Sequence, residues 1–242
     1  MNPSKYSWKG TKEMNVLTVN NVSYQYEGGK KNVLKGISAG FEAGKVYTIV
    51  GKSGSGKSTM LSLISGLDIC KNGEILYKDA DLRRIDRDKY RAQDIGVIFQ
   101  AYNLLTNVTA VQNIVLSLHI CRSPEKDKKS LAYSLLAKVG IDHETADRPV
   151  LKLSGGEQQR VGIARAISHN PDIIIADEPT GNLDRDTEAE ILKIFTSLAH
   201  SERKCVIIVT HSKKVSEIAD VIYGISDGKI AFHKQQSIEK NS

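Results

Sequence analysis

The sequence predicts an α/β fold, a parallel β-sheet with helices on both faces. Three observations predict it. Short apolar runs of strand length occur at 46–50, 95–99, 173–176 and 206–209. Between them, apolar residues recur at i, i+3, i+4, i+7, the repeat of one helix face. One strand also runs directly into a Gly-rich loop that opens a helix. Strands covered on both faces read as continuous apolar runs, and the helices between them supply the crossovers of a parallel sheet.

Taken in order, residues 16–26 alternate loosely through Val16, Val19, Val22, Tyr24 and Tyr26, a strand ending at the turn Gly28-Gly29. A second strand-like stretch, 34–41, precedes Gly44 and the buried run 46–50. Met60, Leu63, Ile64 and Leu67 then share one helix face. The same spacing recurs at Val111, Ile114, Val115, Leu118, at Ala132, Leu135, Leu136, Val139, and at Ile191, Ile194, Phe195, Leu198. Residues 221–225 and 229–232 read as a hairpin on Asp227-Gly228. The charge-dense stretches 78–91 and 124–130 mix both signs and read as solvated faces.

The 242 residues allow one large domain or two small ones. With 40% hydrophobic and 26% charged residues the composition is that of a globular protein, which excludes a disordered, collagen-like or coiled-coil chain. No apolar run reaches the roughly 18 residues of a membrane span. Cys70, Cys121 and Cys205 are too scattered for a disulfide framework or a metal site, so a cytosolic thiol protein is expected. Residues 1–13 are polar, lack the apolar core of a secretory leader, and read as an extension ahead of the domain. The net charge of +6 comes without basic residues clustered among aromatics, so nucleic acid is not expected as a partner.

Gly51-Lys52-Ser53-Gly54-Ser55-Gly56-Lys57-Ser58 fits the P-loop pattern G-x-x-x-x-G-K-[ST], and Thr59 continues into the helix. Its context is the required one of strand, loop and helix. Glycines let the backbone curl with N–H groups pointing inward at an anion, and the helix N-terminus adds partial positive charge. Lys57 is placed to reach the β- and γ-phosphates of a nucleotide, and the Ser58 hydroxyl to ligate Mg²⁺. The run 173–176 ends in Asp177-Glu178. Read alone this pair is an acidic helix start. Beside a P-loop, Asp177 is the expected Mg²⁺ holder and Glu178 the group that orients or deprotonates the attacking water. Ser154-Gly155-Gly156-Glu157 opens a further helix with an N-cap serine and open backbone amides, which by itself is a capped helix after a turn.

With these in place, Leu153 to Arg160 (LSGGEQQR) resembles the signature of ATP-binding cassette (ABC) ATPases, and the resemblance covers about residues 17–232. It implies a P-loop NTPase (RecA-like) core with an antiparallel β subdomain and a small α-helical signature subdomain. The implied layout is one domain over 14–235, its helical subdomain about 101–160, followed by a tail at 236–242. Tyr26 is similar to the aromatic that stacks on adenine, although Tyr24 could also serve. Gln100 resembles the glutamine that senses Mg²⁺ and the γ-phosphate, Gly181 to Asp184 the D-loop, and His211 the switch histidine. The family implies two copies facing head to tail. The P-loop of one and the Ser154–Glu157 segment of the other then enclose each ATP, with Asp184 among the nucleotide-binding residues and Glu178 as base.

The interval from Ser58 to Leu153 has no room for the coiled coil of repair ATPases, and the single P-loop argues against a two-cassette translation factor. The expectation is therefore an ATPase subunit serving a separate membrane permease, at the cytoplasmic face of the membrane. Phe99 to Leu105, Glu178 to Asp184 and Ser226 to Ile230 resemble ATPases of macrolide export, lipoprotein release and antimicrobial-peptide resistance. An amino-acid importer ATPase and a stand-alone cytosolic cassette without a transport role remain the alternatives. A P-loop kinase would leave Leu153 to Arg160 and His211 without a purpose. In the family the groove near Gln100 receives the permease, which makes residues 101–109 the expected docking surface.

Overall fold

The structure, a computed structural model, describes residues 15–29 and 31–236. The predicted extension 1–13 and all of the predicted tail except Gln236 lie outside the described residues. In chain order the elements begin with β1 (Asn15–Tyr24), β2 (Leu34–Glu42), β3 (Val46–Val50), α1 (Lys57–Ile64), β4 (Asn72–Tyr77) and β5 (Ala80–Asp81). Next come α2 (Arg87–Lys89), a π-helical turn (Tyr90–Asp94), β6 (Ile95–Ile98), α3 (Ala110–Ile120), α4 (Lys128–Lys138) and α5 (His143–Ala146). The chain continues with α6 (Gly155–Ile167), β7 (Ile173–Asp177), α7 (Arg185–His200), β8 (Cys205–Val209), α8 (Lys213–Glu217), β9 (Val221–Ser226) and β10 (Lys229–Gln235).

Two sheets result. The first is antiparallel, in the order β2-β1-β4-β5. The second runs β10-β9-β3-β8-β7-β6, parallel except for the edge strand β10. This order sets β8 between β3 and β7, with Val209 in register with both Ile49 and Asp177. The loops that follow β3, β7 and β8 therefore leave from one edge of the sheet, the carboxyl edge where open α/β sheets bind ligands.

The core explains why the apolar runs are continuous. Ile174, Ala176, Val206 and Ile208 point into one cluster with α3, α4, α6 and α7. Their neighbours Ile173, Ile175, Cys205 and Ile207 point into the other, with α1 and the antiparallel sheet. Period-two alternation is present, but both faces are apolar because both are covered. Phe195 is fully buried in the helical layer. Phe195→Ala is expected to cost about 3–5 kcal/mol of stability, read from its denaturation midpoint.

The structure departs from the sequence reading in three places. Leu67 does not share the α1 face: the helix ends at Ile64, Gly66 turns the chain at φ +71, and Leu67 is exposed. The stretch 78–91 is not simply a solvated face, because Asp81, Leu82 and Tyr90 are buried in it. The strand β4 carried no periodic signal. It is located by a long-range tie: the Tyr77 hydroxyl lies 3.0 Å from Asp94 and 2.5 Å from Asp172, just ahead of β6 and β7, and Lys78 pairs with Asp172 at 2.5 Å. These contacts hold the antiparallel sheet against the parallel one.

Candidate active site

The loop from Gly51 to Ser58 joins β3 to α1 and is closed by its own lysine. Lys57 Nζ donates to the carbonyls of Gly51 (2.8 Å) and Lys52 (3.1 Å). Gly56 is the N-cap of α1 at φ +110, and an added Cβ would lie 2.6 Å from Leu34 Cδ2, so only glycine fits. Helix α1 has no side-chain cap and no acid in its first turn. Its free N–H groups and their positive end are thus left for an external anion. The Ser55 hydroxyl oxygen is buried without a partner, while its carbonyl accepts from Gly228 N (3.2 Å), so the β9–β10 turn buttresses the loop. Ser53, Gly54 and Ser58 are exposed. Thr59 and Tyr26 meet through their hydroxyls at 2.9 Å. Tyr26 presents an exposed ring beside the loop, and Tyr24 stands edge-on behind it at 5.1 Å, partly buried against the core. Of the two tyrosines, Tyr26 is the one with an exposed ring.

Asp177 is the last residue of β7. Burial raises its carboxyl above the usual carboxylate range, the charge of Glu178 adds to this, and Lys57 acts in the opposite sense. The lysine of the loop and the strand-end carboxylate are therefore within each other's field. Glu178 follows at φ +46, an uncommon conformation for a residue with a side chain. Its N–H donates to Val209 O (2.9 Å), and its Oε1 lies 2.8 Å from His211 Nδ1. Gln100 follows β6, with Nε2 3.6 Å from the position of a Cβ on Gly181, so it stands over the turn beyond Glu178.

The Ser154–Glu157 segment is built differently. Glu157 N donates to Ser154 Oγ (3.2 Å), and Ser154 N donates to Glu157 Oε2 (2.7 Å), a complete capping box at the start of α6. Ser154→Ala is expected to cost about 1 kcal/mol, measured by chemical denaturation. Gly156 admits no side chain, since a Cβ would lie 2.5 Å from Thr187 Cγ2. Thr187 is held by Asp184, the N-cap of α7. One Asp184 oxygen accepts from the N–H groups of Asp186 and Thr187 (both 3.0 Å), and the other from the Thr187 hydroxyl (2.6 Å). These bonds, the hydroxyl's first, hold the Asp184 carboxyl below the usual range.

The expected residues thus fall into two groups. Tyr26, the 51–59 loop, Gln100, Asp177, Glu178 and His211 gather at the carboxyl edge of the parallel sheet. Ser154 to Glu157 and Asp184 form a second group, and among the described residues no hydrogen bond or ion pair joins it to the 51–59 loop. Tyr102 was missed as an individual residue. It sits at φ +59, its carbonyl accepts from Arg165 (3.0 Å), and its hydroxyl oxygen lies 3.1 Å from the position of a Cβ on Gly155. Nothing in the local pattern of the sequence marked it.

An uncapped helix start, an orphaned buried hydroxyl and a loop lysine suit a nucleotide's phosphates. For Mg²⁺, no cluster of three His, Cys, Asp or Glu residues occurs among the described residues. Ser58 and Asp177 are hard oxygen donors, and Mg²⁺ is commonly held by one or two protein groups plus the substrate's phosphates, so the donor set fits.

The chain matches the family described as "ABC transporter" over residues 34–181. It is 44% identical over 225 residues to the uncharacterized ABC transporter ATP-binding protein YclH of Bacillus subtilis, covering 93% of this chain and 100% of that protein. It is 37% identical over 217 residues to the lipoprotein-releasing system ATP-binding protein LolD of Idiomarina loihiensis, with 88% and 94% of the two chains covered. Among solved structures it resembles MJ0796, described as a dimeric bacterial ABC transporter cassette, with TM-score 0.83 and 33% identity over 90% of this chain and 98% of that one. The same cassette is also described in a post-hydrolysis state bound to ADP and Pi, again with TM-score 0.83.

Proposed function

This chain belongs to the ABC transporter family as its ATP-binding, ATP-hydrolysing subunit, and from that premise we propose that two copies work head to tail beneath a separate membrane permease. The observation that carries the proposal is the separation of two helix starts. Helix α1 begins uncapped with a cationic loop, α6 begins with the outward-facing Ser154 and Gly155, and the two are not joined within one chain. Each is half of an anion site, and a second copy supplies the missing half.

In this reading the 51–59 loop holds the triphosphate, Tyr26 stacks on the base, and Ser154 to Glu157 of the opposite copy close over the γ-phosphate. Ser58, Asp177 and Gln100 would hold Mg²⁺, which would supply charge neutralisation at the β- and γ-phosphates. Glu178 accepts the proton of the attacking water, and His211 fixes the Glu178 carboxylate through Nδ1 and reaches the γ-phosphate with its other nitrogen. Asp184 stands where the two copies meet. Hydrolysis removes the phosphate that both copies grip, so the pair opens and the permease changes state.

The domain runs over 14–235, with residues 101–160 as its helical part and 101–109 as the surface that receives the permease. No described helix is long and apolar enough to cross a membrane. The likeness to ATP-binding proteins of transport systems supports a partner that carries the span and a place for this chain at the membrane's cytoplasmic face. Export or extrusion of a lipid-like, peptide or antibiotic substrate is the reading, and the likeness to a lipoprotein-releasing ATPase favours the lipid-like one. The test mixes two Glu178→Gln chains, one also carrying Ser53→Cys and the other Ser154→Cys, with a short bis-maleimide. The expected result is a cross-linked dimer in the mixture that requires ATP. Cross-linking that is absent with ATP, or indifferent to it, overturns the head-to-tail arrangement. Co-purification with a hydrophobic permease tests the transport role separately.

A further inference from the structure

The turns that carry Glu178 and His211 are bridged twice. One bridge is the Glu178–His211 contact itself. The other is Glu188, in the first turn of α7. Its Oε1 accepts from the Thr180 hydroxyl (3.3 Å) and from the Ser212 hydroxyl (3.3 Å), and its Oε2 pairs with Lys214 Nζ (3.2 Å). Thr180 lies two residues beyond Glu178, and Ser212 is the neighbour of His211. An acid in a first helical turn is ordinarily explained by the helix dipole and left in water. The Glu188 side chain is only 14% exposed and is turned onto these three groups instead.

Ser212 makes the stronger point. It occupies the N-cap of α8, where a serine ordinarily caps the free N–H groups, yet its side chain makes no cap bond. The hydroxyl is given to Glu188. Glu178, at φ +46, also needs its surroundings to hold it. The supports on its own atoms are Val209 O, which accepts from its N–H, Gly181 N, which donates to its carbonyl (3.2 Å), and His211; the Thr180–Glu188 bond is the side-chain support further along the turn.

We propose that Glu188 is a positioning residue for ATP hydrolysis. By seating Thr180 and Ser212 on one carboxylate oxygen it sets the spacing of the two turns, and so the aim of the Glu178 carboxylate, without itself reaching the nucleotide. The proposal rests on the reading of Glu178 and His211 as the hydrolytic pair. Lys214 is itself half exposed, so its pair with Glu188 is screened by solvent, and the bracing is assigned to the two hydroxyl bonds.

The test uses the full chain, measuring steady-state ATPase, binding of a fluorescent ATP analogue, and Tm. Glu188→Ala is expected to lower kcat about tenfold while KM and Kd for ATP stay within about twofold, the split that marks an effect on the chemical step. Glu188→Gln keeps an oxygen that accepts from both hydroxyls and is expected to recover at least about half of the wild-type kcat. Thr180→Val with Ser212→Ala should reproduce the loss, and adding Glu188→Ala to that pair should cost nothing more, because the three act as one unit. Unchanged kcat in Glu188→Ala, a Gln variant no better than Ala, or ATP affinity and Tm falling in step with kcat would each overturn the brace. Glu178→Gln run alongside separates the two failures. Full turnover there removes the hydrolytic pair and the brace with it, whereas an inactive Glu178→Gln beside an unaffected Glu188→Ala removes the brace alone.

Discussion

Glu178→Gln leaves ATP binding intact, lowers hydrolysis at least about 10²-fold, and accumulates an ATP-bound dimer. Glutamine has the shape of glutamate and, carrying both a donor and an acceptor, can still pair with His211 Nδ1, so the turn after β7 keeps its partner. What is lost is the capacity to take a proton from water, and general base catalysis contributes about 10²–10⁴-fold. With no hydrolysis the phosphate between the two copies persists, and the dimer with it. Steady-state ATPase, equilibrium ATP binding and size-exclusion chromatography with and without ATP check the three parts. Turnover above about a hundredth of wild type would remove Glu178 from the role of base, since the lower bound expected of a base is 10²-fold.

Lys57→Met weakens ATP binding about 10- to 10²-fold, because hydrogen bonds to charged groups contribute about 1.5–3 kcal/mol each. The lysine also ties the Gly51 and Lys52 carbonyls together and is the cation that opposes the upward push on Asp177. Removing it therefore loosens the loop and leaves Asp177 without the cation that counters the upward push on its carboxyl. Calorimetric titration with ATP, with and without Mg²⁺, reads both effects, and an unchanged Tm separates them from unfolding. An affinity within about threefold of wild type would mean that the lysine serves only the loop, since one lost charge-assisted bond already exceeds that.

The order of the main elements and the residue types at the strand ends were legible because both are local. The runs at 46–50, 173–176 and 206–209 are apolar on consecutive residues, and the structure shows why: each alternates between two buried clusters rather than between core and water. Gly51 to Ser58 was legible because a loop that must turn its amides inward needs glycine at set positions. Ser154 was legible because a capping box is closed within four residues.

What was not legible depends on partners distant in sequence. Leu67 kept the helical spacing, but Gly66 had already ended the helix. Within 78–91, Asp81, Leu82 and Tyr90 look like parts of a charged surface until β4 and α1 are packed beside them. Glu188 looks like an ordinary first-turn acid, and only the fold carries Thr180 and Ser212 to it.

By itself, then, the sequence determined the α/β class, the phosphate-binding loop, the capped start of α6 and the residue types at the ends of β7 and β8. Each of these follows from backbone freedom, capping or apolar period within a few residues. The tertiary structure alone decided that Val209 sits in register with both Ile49 and Asp177, which brings Lys57, Asp177, Glu178 and His211 to one edge. It alone decided that the Tyr77 hydroxyl lies between Asp94 and Asp172, and that Ser154 is exposed with no hydrogen bond to the loop of its own chain among the described residues. Strand order and the meeting of side chains from separate elements are set by how layers bury their faces against one another, and no short window of sequence contains that.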